Sequence, residues 1–181
     1  MSSTYLVDIR RTYRNYKLLA ERAVAQVSDE QLHRALDDED NSLAVIMQHV
    51  AGNLRSRFRD FLTADGEKPD RNRDGEFETR ALTRDGLLAE WSAAWDIVLG
   101  ELDALTPADL ERTVHIRGEA FAVTEALNRS VTHTAYHVGQ IVFLGKHFAG
   151  AHWTSLSIPR GQSADYGVGT FKQHIVPNGG R

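Results

Sequence analysis

The chain has 181 residues, 41% of them hydrophobic and 25% charged, and this composition fits one globular domain with a sizeable core. Its formal net charge is -4, and no stretch concentrates basic and aromatic residues, which argues against a nucleic-acid partner. The chain has no cysteine, so disulfides, thiolate nucleophiles and cysteine-ligated metals are excluded. Without a signal-peptide pattern or about 18 consecutive apolar residues, we expect a cytoplasmic protein with no membrane partner.

The N-terminal part predicts one long helix and one short helix. Apolar residues repeat at helical spacing from Thr4 to about Val27, with charged residues between them. The sequence from Ser28 to Gln31 has the capping-box pattern that opens a short helix. We interpret the acidic run from Asp37 to Asp40, which ends this helix, as a solvated loop rather than a metal cluster.

A second long helix is predicted from a cap at Asn41 and Ser42 to about Leu62. His49 lies in the middle of its apolar face, where a buried imidazole needs a polar partner such as a metal ion. Asn53 lies one turn further on, close enough to bond to the ring or to bound solvent. The arginines that follow are spread around the helix, which is typical of a solvated face: Arg55, Arg57 and Arg59.

The stretch from Ala64 to Thr79 is polar and rich in turn-forming residues, and it predicts a surface crossing to the next helix. That third long helix begins at Thr83 or Asp85 and carries a heavy apolar stripe through Leu105. The stripe includes two tryptophans, which we expect in the core rather than as a platform for substrate: Trp91 and Trp95.

Two short elements precede the last long helix. Thr106 to Asp109 combines a cap, a proline at the first helical position and an acid, so a short helix is expected. Residues Arg112 to Val123 alternate around Gly118 and predict a small hairpin with His115 exposed. The last long helix is predicted from Thr124 to Ala149, with a cap at Thr124, an acid at Glu125 and a stop at Gly150.

His133 and His137 are four residues apart on this last helix, so their side chains leave the same face, about 5–6 Å apart at Cβ. Two such imidazoles can reach one metal ion, although a site needs at least a third ligand. Ordinary core or surface histidines are the alternative. Thr134 occupies the position where a zinc protease requires its glutamate, which sets peptide hydrolysis aside.

Four long amphipathic helices predict an all-α fold, a four-helix bundle with short extra helices and an irregular C-terminal tail. We expect residues 1–150 to form the bundle and residues 151–181 to pack on it or on a second subunit. In such a bundle the second long helix can face the last one, which would bring His49 to His133 and His137. The tail is expected to dock through its large apolar residues: Trp153, Ile158, Tyr166, Phe171 and Ile175.

Three motifs carry a resemblance to a known group. Asn41-Ser42 is followed by His49, His133-x-x-x-His137 is followed by Gly139-Gln140-Ile141, and the tail reads WTSLSIPRG from Trp153 to Gly161. Together they resemble the DinB-like superfamily of bacterial four-helix-bundle metalloproteins, over nearly the whole chain. The tail is similar to a branch whose members mostly lack an assigned function.

The resemblance implies a metal site of His49, His133 and His137, often in a homodimer. Zinc or nickel is the expected ion, with iron, manganese or cobalt as alternatives. Characterised relatives transfer low-molecular-weight thiols such as bacillithiol or mycothiol to electrophiles, or use them in isomerisation. The same role here implies a metal-dependent S-transferase whose thiol comes from a cosubstrate, with Arg55 or Arg160 as a candidate anchor for its carboxylates.

Two alternatives stay open. A metal-dependent hydrolase of a small ester, amide or lactone would need a nearby general base, and no acid adjoins the paired histidines on the last helix. A non-catalytic, stress-related binding protein would use the metal only for structure. No catalytic residue is assigned.

Overall fold

A computed structural model describes residues 2–165. Within this range the chain forms five α-helices: α1 (Ser2–Val24), α2 (Asp29–His33), α3 (Leu43–Phe58), α4 (Arg84–Ala104) and α5 (Val123–Ala149). It also forms two strands: β1 (Thr113–Ile116) and β2 (Glu119–Ala122). Short 3-10 helices are found at Asp74–Phe77, Pro107–Glu111, Gly150–His152 and Ser163–Asp165. The predicted all-α class is confirmed.

The four long helices pack in a ring. Helix α3 packs on α4 and α5, and α1 completes the ring by packing on α5 and α4. Trp91 and Trp95 are completely buried, as predicted, and Tyr13 meets Trp95 and Phe58 edge-on at centroid distances of 6.1 and 5.6 Å. No helix within residues 2–165 is both long and apolar enough to cross a membrane.

Two helix ends differ from the prediction. Helix α3 ends at Phe58 rather than near Leu62, because Arg59 has a non-helical ψ of 122° and Asp60 then takes a left-handed φ of 54°. The predicted cap of α5 at Thr124 is wrong, since the helix begins at Val123. The first turn of α5 is capped by Glu125 instead, because Oε2 of Glu125 accepts a 2.8 Å hydrogen bond from the N–H group of Ala122.

The hairpin predicted around Gly118 is confirmed. Strands β1 and β2 pair antiparallel, and the turn residues Arg117 and Gly118 have φ of 57° and 77°. His115 is exposed, as expected. The turn is held to the crossing by Asp65, whose carboxylate accepts the N–H groups of Arg117 at 2.9 Å and Gly118 at 2.7 Å.

The crossing from Ala64 to Thr79 is not simply a surface segment. Lys68 and Glu76 are buried, with relative exposures of 7% and 9%. Ser56 on α3 donates to the Gly66 carbonyl at 2.9 Å and accepts from the Lys68 N–H at 3.1 Å. The crossing is therefore folded onto α3, which presents small side chains there and leaves room for it.

The described part of the tail contacts the bundle. Trp153 is half-buried against the core, and the Gln26 side chain forms two hydrogen bonds with the Thr154 backbone, at 3.1 and 2.6 Å. Ile158 is exposed, so the prediction that it docks on the bundle is wrong. Tyr166, Phe171 and Ile175 lie outside the described residues, so docking of the tail through them stays a prediction, as does a second subunit.

Gly150 and Gly100 form a matched pair that tests the end of α5. Gly150 has φ of 54° and ψ of -123°, a conformation that strains any residue with a Cβ, so Gly150→Ala should lower the free energy of unfolding by about 1–3 kcal/mol. Gly100 is exposed within α4 with open space around it, so Gly100→Ala should raise that free energy by about 0.5–1 kcal/mol. Urea denaturation followed by circular dichroism measures both, and equal effects would contradict the assigned conformation.

Candidate metal centre

Three histidines converge where α3 packs on α5. His49 comes from α3, while His133 and His137 lie one turn apart on α5. One ring nitrogen of each lies within 4.8 Å of the other two, and the Nε2 atoms of His49 and His133 are 3.2 Å apart. His49 and His137 are buried and His133 is half-buried. The three predicted residues, here called the triad, are thus brought together.

Glu76 fixes the orientation of His49. Its Oε2 lies 2.9 Å from His49 Nδ1. Burial alone would raise the pKa of the Glu76 carboxyl, but hydrogen bonds from Arg71 and His49 outweigh it and hold this pKa below its usual value. The carboxylate therefore accepts a hydrogen bond from the Nδ1–H group of His49, and Nε2 is left to face the other two rings. Phe77 stacks on the His49 ring at a centroid distance of 4.4 Å.

Glu76 is itself held on two sides. Arg71 binds it with two parallel hydrogen bonds, from Nε to Oε1 at 2.8 Å and from Nη2 to Oε2 at 2.9 Å. On the other side lies Gly52 of α3, where a Cβ would overlap Oε1 and approach Cδ of Glu76 to 2.6 Å. A glycine at this position is what lets the carboxylate reach the His49 ring.

His137 is oriented by a neighbour on its own helix. Its Nδ1 lies 2.8 Å from Oε1 of Gln140 and donates to this oxygen, which leaves the lone pair on Nε2. Within residues 2–165, Nε2 of His137 and Nδ1 of His133 are buried without a hydrogen-bond partner. A buried, unpaired Nε2 beside two other ring nitrogens is the arrangement that metal-binding histidines have.

The spacing and chemistry of the triad fit a divalent ion. Two nitrogens bound at 2.0–2.1 Å to a tetrahedral ion are about 3.3 Å apart, close to the 3.2 Å between His49 Nε2 and His133 Nε2. Burial, together with the repulsion that His137 and His49 exert when charged, lowers the pKa of His133 to about 3. Burial likewise lowers the pKa of His137 to about 4. Both rings are therefore neutral near pH 7, the form that binds metals.

A cavity of about 660 Å³ adjoins the triad. Arg57 lines it with a side chain only 13% exposed, so the prediction that this arginine belongs to a solvated face is wrong. Asn53 also lines it, although Glu76 and not Asn53 bonds to His49 Nδ1. The two arginines predicted as anchors, Arg55 and Arg160, are exposed and do not line this cavity.

Sequence reasoning missed the residues that orient the triad. Gln140 had a usable signal, because a residue three positions after His137 is its neighbour on a helix. Glu76 and Arg71 had none, since they lie in a polar crossing without periodicity. Gly52 had none either, because nothing in its sequence context indicates that a carboxylate approaches it.

Replacing Glu76 tests its structural role. Glu76→Ala would leave the buried Arg71 guanidinium without its bidentate partner, so the free energy of unfolding should fall by about 3–5 kcal/mol. Glu78→Ala is the control, because Glu78 is exposed and the change should stay within about 0.5 kcal/mol. Urea denaturation of both metal-free variants measures this, and similar values for the two would show that the Glu76 contacts do not matter for stability.

The model of a family described as "Protein of unknown function (DUF1572)" matches residues 1–162, which include the whole triad and both residues that orient it. No curated protein and no solved structure matches the chain. The matched family lies in the DinB/YfiT-like superfamily, in agreement with the resemblance of the motifs. A match over most of its length places this chain in the DUF1572 family.

Proposed function

We propose that the chain is a metalloprotein whose triad, His49, His133 and His137, holds one divalent ion through three Nε2 atoms. The observation that carries this proposal is the convergence of three ring nitrogens within 4.8 Å, two of the rings having Nδ1 engaged elsewhere. Three nitrogen ligands suit zinc or nickel, and iron, manganese or cobalt to a lesser degree. They leave at least one position open for a substrate.

The function we infer is transfer of a low-molecular-weight thiol to an electrophile. The cavity of about 660 Å³ beside the triad lies within the usual range for small-molecule sites. The protein has no cysteine, so the thiol must come from a cosubstrate. A divalent ion in the triad would lower the pKa of a coordinated thiol and so supply a thiolate at neutral pH.

The chain's own residues would prepare this step. Glu76 keeps His49, and Gln140 keeps His137, in the tautomer that leaves Nε2 free to bind a metal. Phe77 stacks on the His49 ring, and the ring of Tyr136 is centred 4.2 Å from that of His137. The sulfur forms a bond to the electrophilic carbon while the bond from that carbon to the halide or epoxide oxygen breaks, its electron pair going to that atom. The thiol proton passes to solvent, and an opened epoxide oxygen takes up a proton in turn.

Hydrolysis has less support from the same cavity. A general base would have to be free, and the Glu76 carboxylate is engaged by Arg71 and His49. Among residues 2–165 the cavity is also lined by two exposed candidate bases on the hairpin, the imidazole of His115 and the carboxylate of Glu119. We therefore place thiol transfer first.

Metal content tests the first step of the proposal. Untagged wild-type protein should contain about one divalent ion per chain by elemental mass spectrometry, and His49→Ala, His133→Ala and His137→Ala should each lose it. His147→Ala is the control, because His147 lies exposed on the same helix and should leave the content unchanged. Wild-type protein that takes up no metal, even with zinc or nickel added, would refute the site.

The same preparations then test the reaction. Wild-type protein should consume a small thiol together with a reactive halide or epoxide, and His133→Ala should not. Ester or lactone cleavage without any thiol would instead favour the hydrolase. Absence of both activities in a protein that binds metal would favour a non-catalytic role.

Gly52→Ala tests whether Glu76 supports the metal ligands. The added Cβ would push the carboxylate away from His49, and loss of such a support lowers metal affinity by about 10–100-fold. Gly139→Ala, on α5 with open space around it, should retain wild-type affinity. Competition with a chromophoric chelator measures both constants, and equal affinities would mean that the Glu76 contact does not tune the site.

A further inference from the structure

The cavity beside the triad has an excess of positive charge. Among residues 2–165, one carboxylate, that of Glu119, and five arginines line it: Arg57, Arg71, Arg73, Arg117 and Arg129. The protein as a whole has a formal net charge of -4, so this excess is local rather than a reflection of composition. Low-dielectric walls strengthen such a field inside a cleft.

Three of these arginines are occupied by structural contacts. Arg57 and Arg117 donate to Glu67 Oε2 at 2.9 and 3.0 Å, and Arg71 binds Glu76 while also lying 3.4 Å from Glu67. Two carboxylates, those of Glu67 and Glu76, are thus paired with three guanidinium groups. These contacts hold the crossing and the hairpin beside the triad, and they leave the walls positively charged.

The other two arginines lie over aromatic rings that also line the cavity. The Arg73 guanidinium is 5.2 Å from the centre of Phe77, the ring that stacks on His49. Its nearest ion-pair partner is Asp74 at 3.9 Å, which is 97% exposed and contributes little. Arg129 lies 5.9 Å from the centre of Phe121 and forms no salt bridge in the part of the chain that the structure describes. Stacking orients both groups without neutralising them.

A buried hydroxyl adds an independent indication of a ligand. Ser130 is 7% exposed and lines the same cavity, and its hydroxyl lies next to that of the buried Tyr13. Neither hydroxyl has another hydrogen-bond partner within residues 2–165, so at least one of the two protons lacks an acceptor. A buried donor without an acceptor is unfavourable unless a ligand or solvent supplies one.

We propose that the cavity binds a small anionic molecule whose carboxylate or phosphate group is held by Arg73 and Arg129, with Ser130 as an additional donor. Guanidinium groups bind both kinds of oxyanion through paired N–H donors. The inference places the anion site on residues outside the triad, and it rests on the proposed function where it takes the anion to be a thiol or an electrophile. It names the substrate class: an anionic thiol or an anionic electrophile.

Calorimetric titration of the full-length protein with succinate, inorganic phosphate and neutral succinamide tests the proposal. Succinate or phosphate should bind and succinamide should not, and the tighter of the two anions identifies the group. Arg73→Gln and Arg129→Gln should each weaken anion binding by about tenfold or more. Arg55→Gln, an exposed arginine outside the cavity, should leave it unchanged.

Repeating the titrations with His133→Ala separates this inference from the metal proposal. Anion binding that persists in His133→Ala and is lost in Arg129→Gln supports the arginine site, whether or not the wild type contains metal. Binding that is lost in His133→Ala but unchanged in both arginine variants would mean that the anion binds a metal alone, which overturns the inference and leaves the metal site standing. Equal binding of succinamide and succinate would also overturn it.

Discussion

A buried carboxylate between a guanidinium and an imidazole is the interaction on which the site depends. Glu76 is bound on one side by Arg71 and on the other by His49, and it fits against α3 because Gly52 has no side chain. Burying this charge is unfavourable unless every oxygen is satisfied, so the three groups must assemble together. The same contact that anchors the crossing to the bundle therefore also sets which nitrogen of His49 faces the other two histidines.

The site consequently has two chemically different parts. The triad lies at the junction of α3 and α5, where burial keeps His133 and His137 neutral and low in pKa. The rest of the cavity is formed by the crossing, the hairpin and the first half of α5, and it is lined with arginines. A metal ion held by the triad beside a wall of fixed positive charge would favour ligands that carry a donor atom at one end and an anionic group at the other.

The histidine cluster and the lining of the cavity also favour thiol transfer over hydrolysis as the proposed function. Transfer of a small thiol needs metal ligands that leave a position open and a cavity for a small molecule, and it needs no protein cysteine. The three clustered histidines, the cavity of about 660 Å³ and the absence of cysteine are compatible with these requirements. A hydrolase needs a free base, and the carboxylate nearest to the triad is engaged by Arg71 and His49. Family membership alone does not decide between them, because the DUF1572 description assigns no function.

Periodicity and local chemistry in the sequence determined the four long helices, the hairpin around Gly118 and the spacing of His133 and His137, because each depends on neighbours a few residues away. The meeting of His49 with that pair followed from the expectation of a bundle, and the structure agrees. Only the tertiary structure decided that Glu76, in a polar loop, is buried against Gly52 and that Arg57 rather than Arg55 lines the cavity. Such contacts join segments distant in sequence, and their energy comes from desolvated charges that no local pattern records.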